Sequence, residues 1–332
     1  MKAGIRNQRQ TGGRVNTENK GLPGSNRSAR ASVGNRRQAG DNRSSKSDAR
    51  RYWCYVLLPF VLPFLIATVG CQEGPTLHVP NEIFYPEWGA YFEAHDATGT
   101  IVMLNSGTGT RHVFNPEGAH EQFLPASTFK IYNSLVALET GVVADVDSMY
   151  AWDGVERGGS WDQPQSLRTA LRRSALWLFE KLAVEIGRER YEENFAAEPY
   201  GNGLVGDSMQ AFWLVGPLAI SANEQVAYLN KLRGGLLAFR PEYQAAVREI
   251  MILEEESEYI LYGKTGWAIP ESGDIGWIVG WIERGDAVWV YALNVESAGP
   301  NFDMGPARRE VLNMVLDEMG LRPLTVDRSA GR

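Results

Sequence analysis

The sequence predicts an α+β fold, in which an antiparallel β-sheet flanked by helices is joined by a mainly helical region. Runs of aromatic and β-branched residues, typical of strands, occur near residue 100 and again between residues 259 and 296. Helical apolar periodicity dominates the interval between them. Of the 332 residues, 44% are hydrophobic, so the chain is long enough to bury a sizeable core. One sheet would therefore join early and late strands, with the helices inserted between them.

The first part of the chain, residues 1–52, is a basic region with 13 Lys+Arg and 3 Asp+Glu. It has almost no large apolar residues, and its composition predicts disorder. The remainder carries a net charge of −17, which argues against nucleic acid as a partner.

Residues 53–71 predict an export signal, because a largely apolar segment follows this positive flank. Thr68–Cys71 is similar to a lipobox, in which the cysteine is lipidated after cleavage. Cleavage, lipidation of Cys71 and retention as an uncleaved anchor all remain open, as does whether residues 1–50 form a genuine tail. We expect an exported, periplasmic protein whose membrane contact is limited to this segment, followed by one catalytic domain over residues 72–332.

The elements of that domain follow in order after a short linker at residues 72–80. The stretch from Gly89 to Gly109 reads as two strands joined by a turn at Asp96–Gly99. Four helical patterns follow: Phe129–Leu138, stopped by Gly141; residues 166–187, broken near Ser174; residues 220–235, with a capping box of Ser221 and Glu224; and residues 241–252. Three strands are predicted at residues 259–268, 273–285 and 286–296, and a last helix is stopped by Gly320. We find no internal repeat.

The scarcity of cysteine and histidine limits the kinds of catalytic site that the domain can contain. Cys54 and Cys71 are the only cysteines, so the domain has no thiol nucleophile and no Cys-based metal site. Its four histidines all precede residue 121 and form no HxH or HExxH motif, which argues against a metal centre and against a Ser-His-Asp triad. A serine nucleophile here would need a lysine, a tyrosine or a carboxylate as its base.

Ser127 and Lys130 form an S-x-x-K motif at a helix start, where residues three apart face the same side. The structural alternative is a helix cap at Ser127 beside a solvated Lys130. Phe123, Leu124, Phe129 and Ile131 surround the motif, and an apolar setting would lower the pKa of the lysine. A neutral amine of this kind can act as a base or be carbamylated by carbon dioxide.

Three fragments further along the chain support an active site at the S-x-x-K motif, which alone is weak evidence for one. Ser174 lies on a helical pattern, Tyr200-Gly201-Asn202 in a turn, and Lys264-Thr265-Gly266 at the end of a predicted strand. An S-x-x-K motif followed by K-T-G is typical of penicillin-recognising serine enzymes. With these motifs in this order and spacing, residues 82–322 resemble the class D (oxacillinase-type) serine β-lactamases.

The resemblance implies a role for each residue. Ser127 would attack the lactam carbonyl, and Lys130, as its N-carbamate, would be the general base for acylation and deacylation, with no other cofactor and no metal. Trp213 would hydrogen-bond the carbamate, and Ser174 would relay a proton to the lactam nitrogen. The remaining residues would bind substrate or shape the site, with backbone N–H groups of Ser127 and Trp267 as the oxyanion hole: Lys264, Thr265, Gly266, Trp267, Arg308, Tyr200, Asn202 and Leu176.

The chain also departs from the family pattern. The Ser-x-Val motif of the family reads Ser-Ala-Leu here, so Leu176 replaces a valine beside the lysine. Glu198 to Asn202 spells the E-x-x-x-N motif of class A enzymes, which we interpret as coincidence. The expected function is hydrolysis of small-molecule β-lactams, which confers resistance. The alternative is a β-lactam sensor domain that is acylated without turnover, and a homodimer is left open.

Overall fold

The computed structural model describes residues 81–270, 273–297, 299 and 302–323. The basic region 1–52, the export segment 53–71 and the linker 72–80 lie outside the described residues. Within the described ranges, no helix is both long enough and apolar enough to cross a membrane.

In the part of the chain that the structure describes, seven strands form one sheet. In chain order they are β1 Glu82–Phe84, β2 Thr98–Asn105, β3 Arg111–Phe114, β4 Ile252–Glu255, β5 Ile260–Ala268, β6 Asp274–Arg284 and β7 Ala287–Ser297. Their order across the sheet is β1-β3-β2-β7-β6-β5-β4. Neighbouring strands are antiparallel, except that β1 runs parallel to β3. Because β2 pairs with β7, the sheet joins early and late strands, and this confirms the predicted α+β architecture.

Among the described residues, eight α-helices accompany the sheet: α1 Gly89–Glu93, α2 Lys130–Glu139, α3 Leu167–Arg173, α4 Leu176–Ile186, α5 Arg188–Ala197, α6 Ala222–Gly234, α7 Pro241–Ile250 and α8 Met304–Glu318. Helices α1 and α8 pack with one face of the sheet, and α2 to α7 belong to the region that covers the other face. The sheet is thus the middle layer between two helical layers.

Strand β6 is almost continuously apolar because its side chains enter the cores on both faces of the sheet. Trp277 and Trp281 belong to the core shared with the larger helical region, whereas Ile278 and Ile282 belong to the core shared with α1 and α8. Successive side chains of a strand point to opposite faces, and here both faces are covered. The strand therefore anchors the two cores to each other.

The first predicted hairpin is wrong in its first half. Gly89–Glu93 is a helix, and the turn before β2 contains Asp96 at φ 53°. Trp88 and Phe92 are both buried, and Trp88 donates a hydrogen bond to Glu318 of α8. Trp88 and Phe92 are four residues apart, which is helical spacing. A segment this short does not distinguish that spacing from the alternation of a strand.

The helix boundaries match the sequence signals closely. Ser221 and Glu224 form the predicted capping box at the start of α6. The predicted break near Ser174 separates α3 from α4, and Ser174 occupies the left-handed conformation at φ 58°. The four long helical patterns and the three late strands are confirmed, while α5 and the short strands β1, β3 and β4 were not predicted.

Candidate active site

The turn that carries Ser127 leads directly into α2. Residues Ala126–Phe129 form a 3-10 turn, and Lys130 is the first residue of the helix. Lys130 Nζ donates a hydrogen bond of 2.9 Å to Ser127 Oγ. No side chain caps the start of α2, whose N-cap residue is Phe129, so Ser127 is not the helix cap of the structural alternative.

Ala126, just before the nucleophile candidate, has a left-handed backbone at φ 48°. Its N–H donates to the carbonyl of Trp213 at 3.0 Å. A left-handed non-glycine residue costs on the order of 1 kcal/mol and persists only where its surroundings fix it. The bond to Trp213 supplies such a fixing contact and holds the turn that presents the Ser127 hydroxyl.

Lys130 is buried, with 1% of its surface exposed. Its ammonium nitrogen donates to the Ser174 carbonyl at 2.8 Å and to the Ser174 hydroxyl at 3.1 Å, and it lies 5.4 Å from the ring centre of Phe179. Burial lowers the pKa of Lys130 to about 7, although the nearby charge of Glu180 acts in the opposite direction. A substantial neutral amine population therefore exists near neutral pH.

Ser174 links the two lysines of the site. Its Oγ also accepts a hydrogen bond of 3.1 Å from Lys264 Nζ, so both amines meet at one hydroxyl. The left-handed residue between α3 and α4 sharply redirects the chain, and this places both the carbonyl and the hydroxyl of Ser174 toward Lys130. A hydroxyl between two amines can pass a proton from one group to another.

Strand β5 forms the opposite wall. Lys264 Nζ donates to the Thr265 carbonyl at 2.7 Å, and Arg308 of α8 donates to the Gly266 carbonyl at 2.5 Å. Gly266 lies so close to the Ser127 turn that an added Cβ would stand 2.9 Å from the Pro125 carbonyl oxygen. Only glycine lets the strand approach the turn this closely.

The cations of the site repel one another. Burial, followed by the charges of Lys130 and Arg308, holds the pKa of Lys264 well below its usual range. Burial and then the charge of Arg309 lower the pKa of Arg308 to about 10. The three basic groups disfavour one another's charged forms, and an anionic ligand such as a carboxylate would relieve this repulsion.

These elements enclose a cavity of about 340 Å³. Eight of the predicted site residues line it, namely Ser127, Lys130, Ser174, Leu176, Thr265, Gly266, Trp267 and Arg308. Leu176, the departure from the family motif, thus lies in the wall beside Lys130. Trp161 and Leu214 complete the lining.

Trp213 lies behind the cavity wall rather than in it. It is fully buried, and its ring stacks on Phe129 with the ring centres 5.6 Å apart. Its Nε1 is buried without a hydrogen-bond partner. A buried unpaired N–H is costly, typically by 1–3 kcal/mol. An anionic oxygen carried by Lys130 is the kind of acceptor that such a donor fits, so the residues present are compatible with an N-carbamate.

Tyr200 and Asn202 are not brought to the cavity wall. Tyr200 is buried beneath Phe129, with their rings 5.6 Å apart, and Gln225 donates to its hydroxyl. The Asn202 side chain bonds to the backbone of Pro217, Leu204 and Ala219. Asn202 therefore holds the segment that follows Trp213, and Tyr200 packs against Phe129 from within the core.

Sequence reasoning missed Trp161 and Leu214 in the lining, and Phe179 and Glu180 next to Lys130. Trp161 lies in the irregular segment before α3, where no periodicity assigns a side chain to a face. Glu180 follows Phe179 on α4. It lies one helical turn after Leu176, and this spacing could have predicted that it lies on the same face of the helix. Among the described residues, no group of three His, Cys, Asp or Glu is placed to hold a metal ion.

Comparisons with known proteins agree with this geometry. The family model of the penicillin-binding protein transpeptidase domain matches residues 94–317. Over 237 residues the chain is 40% identical to β-lactamase OXA-2 of Salmonella typhimurium, covering 70% of this chain and 82% of the relative. β-Lactamase OXA-20 of Pseudomonas aeruginosa is 36% identical over 239 residues, which cover 71% and 88% of the two chains.

Solved structures give the same result. FUS-1 (OXA-85), a class D β-lactamase from Fusobacterium nucleatum subsp. polymorphum, superimposes with a TM-score of 0.69 and 37% identity over 73% of this chain and 100% of its own. A class D β-lactamase from Nostoc gives 0.68 and 37%, over 71% and 99% of the two chains. The chain belongs to the class D serine β-lactamases.

Proposed function

We propose that this chain hydrolyses the amide bond of β-lactams through an acyl-enzyme on Ser127. The observation that carries the proposal is the hydrogen bond of 2.9 Å between Lys130 Nζ and Ser127 Oγ, made by a lysine whose pKa is about 7. A base with a pKa near the working pH is well suited to take the proton from a serine hydroxyl. The relatives described above, named as β-lactamases, support the same reaction.

In the first half of the proposed reaction, Ser127 Oγ attacks the lactam carbonyl carbon and its proton passes to the base at Lys130. The backbone N–H groups of Ser127 and Trp267 stabilise the developing oxyanion, a contribution of a few kcal/mol per donor in acyl transfer. The carbon–nitrogen bond then breaks, and the Ser174 hydroxyl relays a proton to the leaving nitrogen. Lys264, Thr265 and Arg308 bind the substrate carboxylate.

In the second half, a water molecule attacks the ester and releases Ser127. We propose that Lys130 carries an N-carbamate, which would be the general base for this step as well as for the first. Lys130 provides the neutral amine that carbon dioxide requires, and the unpaired Trp213 Nε1 would donate a hydrogen bond to the group. Leu176, which lines the cavity beside them, limits the access of bulk water to that base.

The reaction is tested by the stoichiometry of benzylpenicillin hydrolysis. We expect many equivalents of product per protein, and none from Ser127→Ala. One acyl-enzyme per protein with no further product would overturn hydrolysis and identify the alternative, a β-lactam sensor. Expression of the full chain in a susceptible bacterium tests resistance, since an active enzyme should raise the penicillin concentration that stops growth.

The carbamate has its own test. With ¹³C-labelled bicarbonate, the wild type should show a carbamate resonance that is lost in Lys130→Ala and retained in Lys181→Ala, an exposed lysine on α4. Lys130→Ala should also accumulate an acyl-enzyme that deacylates slowly. Fast turnover by Lys130→Ala would remove Lys130 from the second half of the reaction.

We further propose that the protein is exported to the periplasm by residues 53–71, and that Cys71 is a candidate site of lipidation. The apolar segment behind a strongly basic flank supports this proposal. Fractionation of cells that express the wild type and Cys71→Ser tests it. A lipidated protein sediments with membranes only when Cys71 is present, whereas a cytoplasmic location for the wild type would overturn the proposal of export.

A further inference from the structure

The wall of the cavity formed by Trp161 is held in place from outside the cavity. The Trp161 carbonyl accepts a hydrogen bond of 2.9 Å from Trp177 Nε1 and a second of 3.2 Å from Gln165 Nε2. Trp177 is 3% exposed and does not line the cavity, so it touches neither the nucleophile nor a ligand placed beside it. Its indole N–H is used only to fix the backbone of the wall residue.

The residue next to Trp161 tightens the same segment. Asp162 Oδ2 accepts backbone hydrogen bonds from Arg157 at 2.7 Å, Gly158 at 2.8 Å and Gly159 at 3.3 Å. One carboxylate thus satisfies three consecutive N–H groups, which closes residues 157–162 into a compact loop. This loop has no regular secondary structure, and these contacts take the place of helix or sheet hydrogen bonds.

Trp177 also connects the loop to the catalytic residues. It is the second residue of α4, directly after the cavity-lining Leu176 and three residues after Ser174. The bond from Trp177 to Trp161 therefore ties the wall to the start of α4, which follows the proton-relay candidate Ser174 in the chain. This bond fixes the position of Trp161 relative to Ser174.

We propose that Trp177 and Asp162 are positioning residues, and that they act through Trp161 to fix the width of the substrate cavity. The inference rests on the proposed function in that the cavity between Ser127 and Trp161 is taken to bind the β-lactam. Small displacements of a binding wall lower affinity and the fraction of substrate bound in a reactive geometry. Loss of either anchor should therefore raise KM more than it lowers kcat.

The first test is Trp177→Phe, which removes the N–H and keeps an aromatic side chain. The matched control is Trp281→Phe, because Trp281 is also buried and donates its N–H to Glu283 at 3.0 Å, but lies outside the cavity lining. We expect KM for benzylpenicillin to rise about five-fold in Trp177→Phe, the equivalent of one hydrogen bond, with kcat within about two-fold. Trp281→Phe should leave both constants unchanged even where the two variants lose similar thermal stability.

The second test is Asp162→Ala against Asp145→Ala. Asp145 Oδ1 likewise accepts two backbone N–H groups, from Asp147 at 2.8 Å and Ser148 at 2.7 Å, in a loop outside the cavity lining. We expect Asp162→Ala to raise KM by at least as much as Trp177→Phe, since it releases three bonds. Asp145→Ala should change stability only.

The decisive test is a double-mutant cycle with Trp161→Ala. If Trp177 acts through Trp161, then Trp177→Phe has no further effect on KM in the Trp161→Ala background. An undiminished effect in that background, or an equal effect of Trp281→Phe, would overturn the proposal. The same cycle is read from the rate of acylation by a fluorescent penicillin. That rate is measurable without turnover, so failure of this inference and failure of hydrolysis are distinguishable.

Discussion

At the scale of single residues, the burial of Lys130 lowers its pKa and also costs stability. The unfolded chain keeps this lysine protonated up to about pH 10.4, whereas the folded protein holds its pKa at about 7. Between these values the unfolded state binds more protons, so the free energy of unfolding rises with pH by up to about 1.4 kcal/mol per unit. Below pH 7 both states are protonated and the full cost of burial remains.

We therefore predict that the wild type gains stability relative to Lys130→Met as the pH rises from 7 to 10 in carbon dioxide-free buffer. Urea unfolding of both proteins at several pH values measures the difference. Lys181→Met is the control, since Lys181 is about half exposed and should show no such trend. A difference that stays constant across this range would mean that Lys130 keeps an ordinary pKa.

Two substitutions of Ser174 distinguish the role of its hydroxyl from the role of its backbone conformation. Both Ser174→Gly and Ser174→Ala remove the hydroxyl that accepts from Lys130 and Lys264. Only alanine must also bear a Cβ at the left-handed φ of 58°, which costs on the order of 1 kcal/mol relative to glycine.

We predict an equal fall in kcat for the two Ser174 variants, about 100-fold for a lost proton relay, with the alanine variant less stable by about 1 kcal/mol. Steady-state hydrolysis and urea unfolding measure the two effects. If the glycine variant keeps full activity, the hydroxyl is not part of the proton path.

Most of the candidate site residues could be predicted from the sequence, because their residue types occur at spacings that a helix start or a strand requires. Ser127 and Lys130 share one helix start, and Lys264 to Gly266 lie within one strand, so local patterns place them. Trp161 could not be placed in this way. Its backbone is held by bonds from Gln165, in the same irregular segment, and from Trp177 on α4, and no local period encodes these contacts.

At the scale of elements, the site depends on how closely β5 approaches the 3-10 turn before α2. A Cβ on Gly266 would meet the Pro125 carbonyl at 2.9 Å, the Thr128 side chain at 3.2 Å and Ala126 at 3.3 Å. Two of these atoms belong to a turn that the Ala126–Trp213 bond fixes, so the strand must move instead. Moving β5 would also shift Trp267 and the oxyanion donor assigned to its backbone.

We predict that Gly266→Ala lowers the free energy of unfolding by about 1–3 kcal/mol, the usual cost of overpacking, and slows acylation at least about ten-fold. Gly305→Ala is the control, because its new Cβ would meet only Asp303 Oδ1, at 3.7 Å. Acylation by a fluorescent penicillin and urea unfolding give the two readouts. An acylation rate equal to wild type would show that the strand can yield without disturbing the site.

The same scale explains which elements the sequence predicted. Long periodic helices and the paired late strands were predicted well, because apolar positions repeat several times within each. The segment Gly89–Glu93 has a single helical turn, too short for its period to differ clearly from strand alternation. Strands of three or four residues, such as β1 and β3, exist through their partners rather than through their own pattern.

At the scale of the whole molecule, the residues that line the cavity beside Ser127 and the residues of both cores come from one continuous stretch of the chain. All cavity-lining residues lie between Ser127 and Arg308, and the two core clusters lie between Trp88 and Leu321. The strand pairing of β2 with β7 closes this stretch on itself, because it joins the first long strand to the last. The described part of the predicted domain, residues 72–332, thus holds the cavity and both core clusters.

We predict that a chain shortened to residues 73–332 unfolds with the melting temperature of the full chain, within about 2 °C, and keeps its kcat and KM for benzylpenicillin. Among the described residues, both core clusters lie between Trp88 and Leu321, so the cut before residue 73 falls outside them. Calorimetry and steady-state hydrolysis of the two proteins at equal concentration measure this. Removal of residues 303–323 instead is the matched test, because it deletes α8 and with it Arg308, and should abolish folding. A large loss of stability in the 73–332 chain would show that the preceding residues are part of the folded domain.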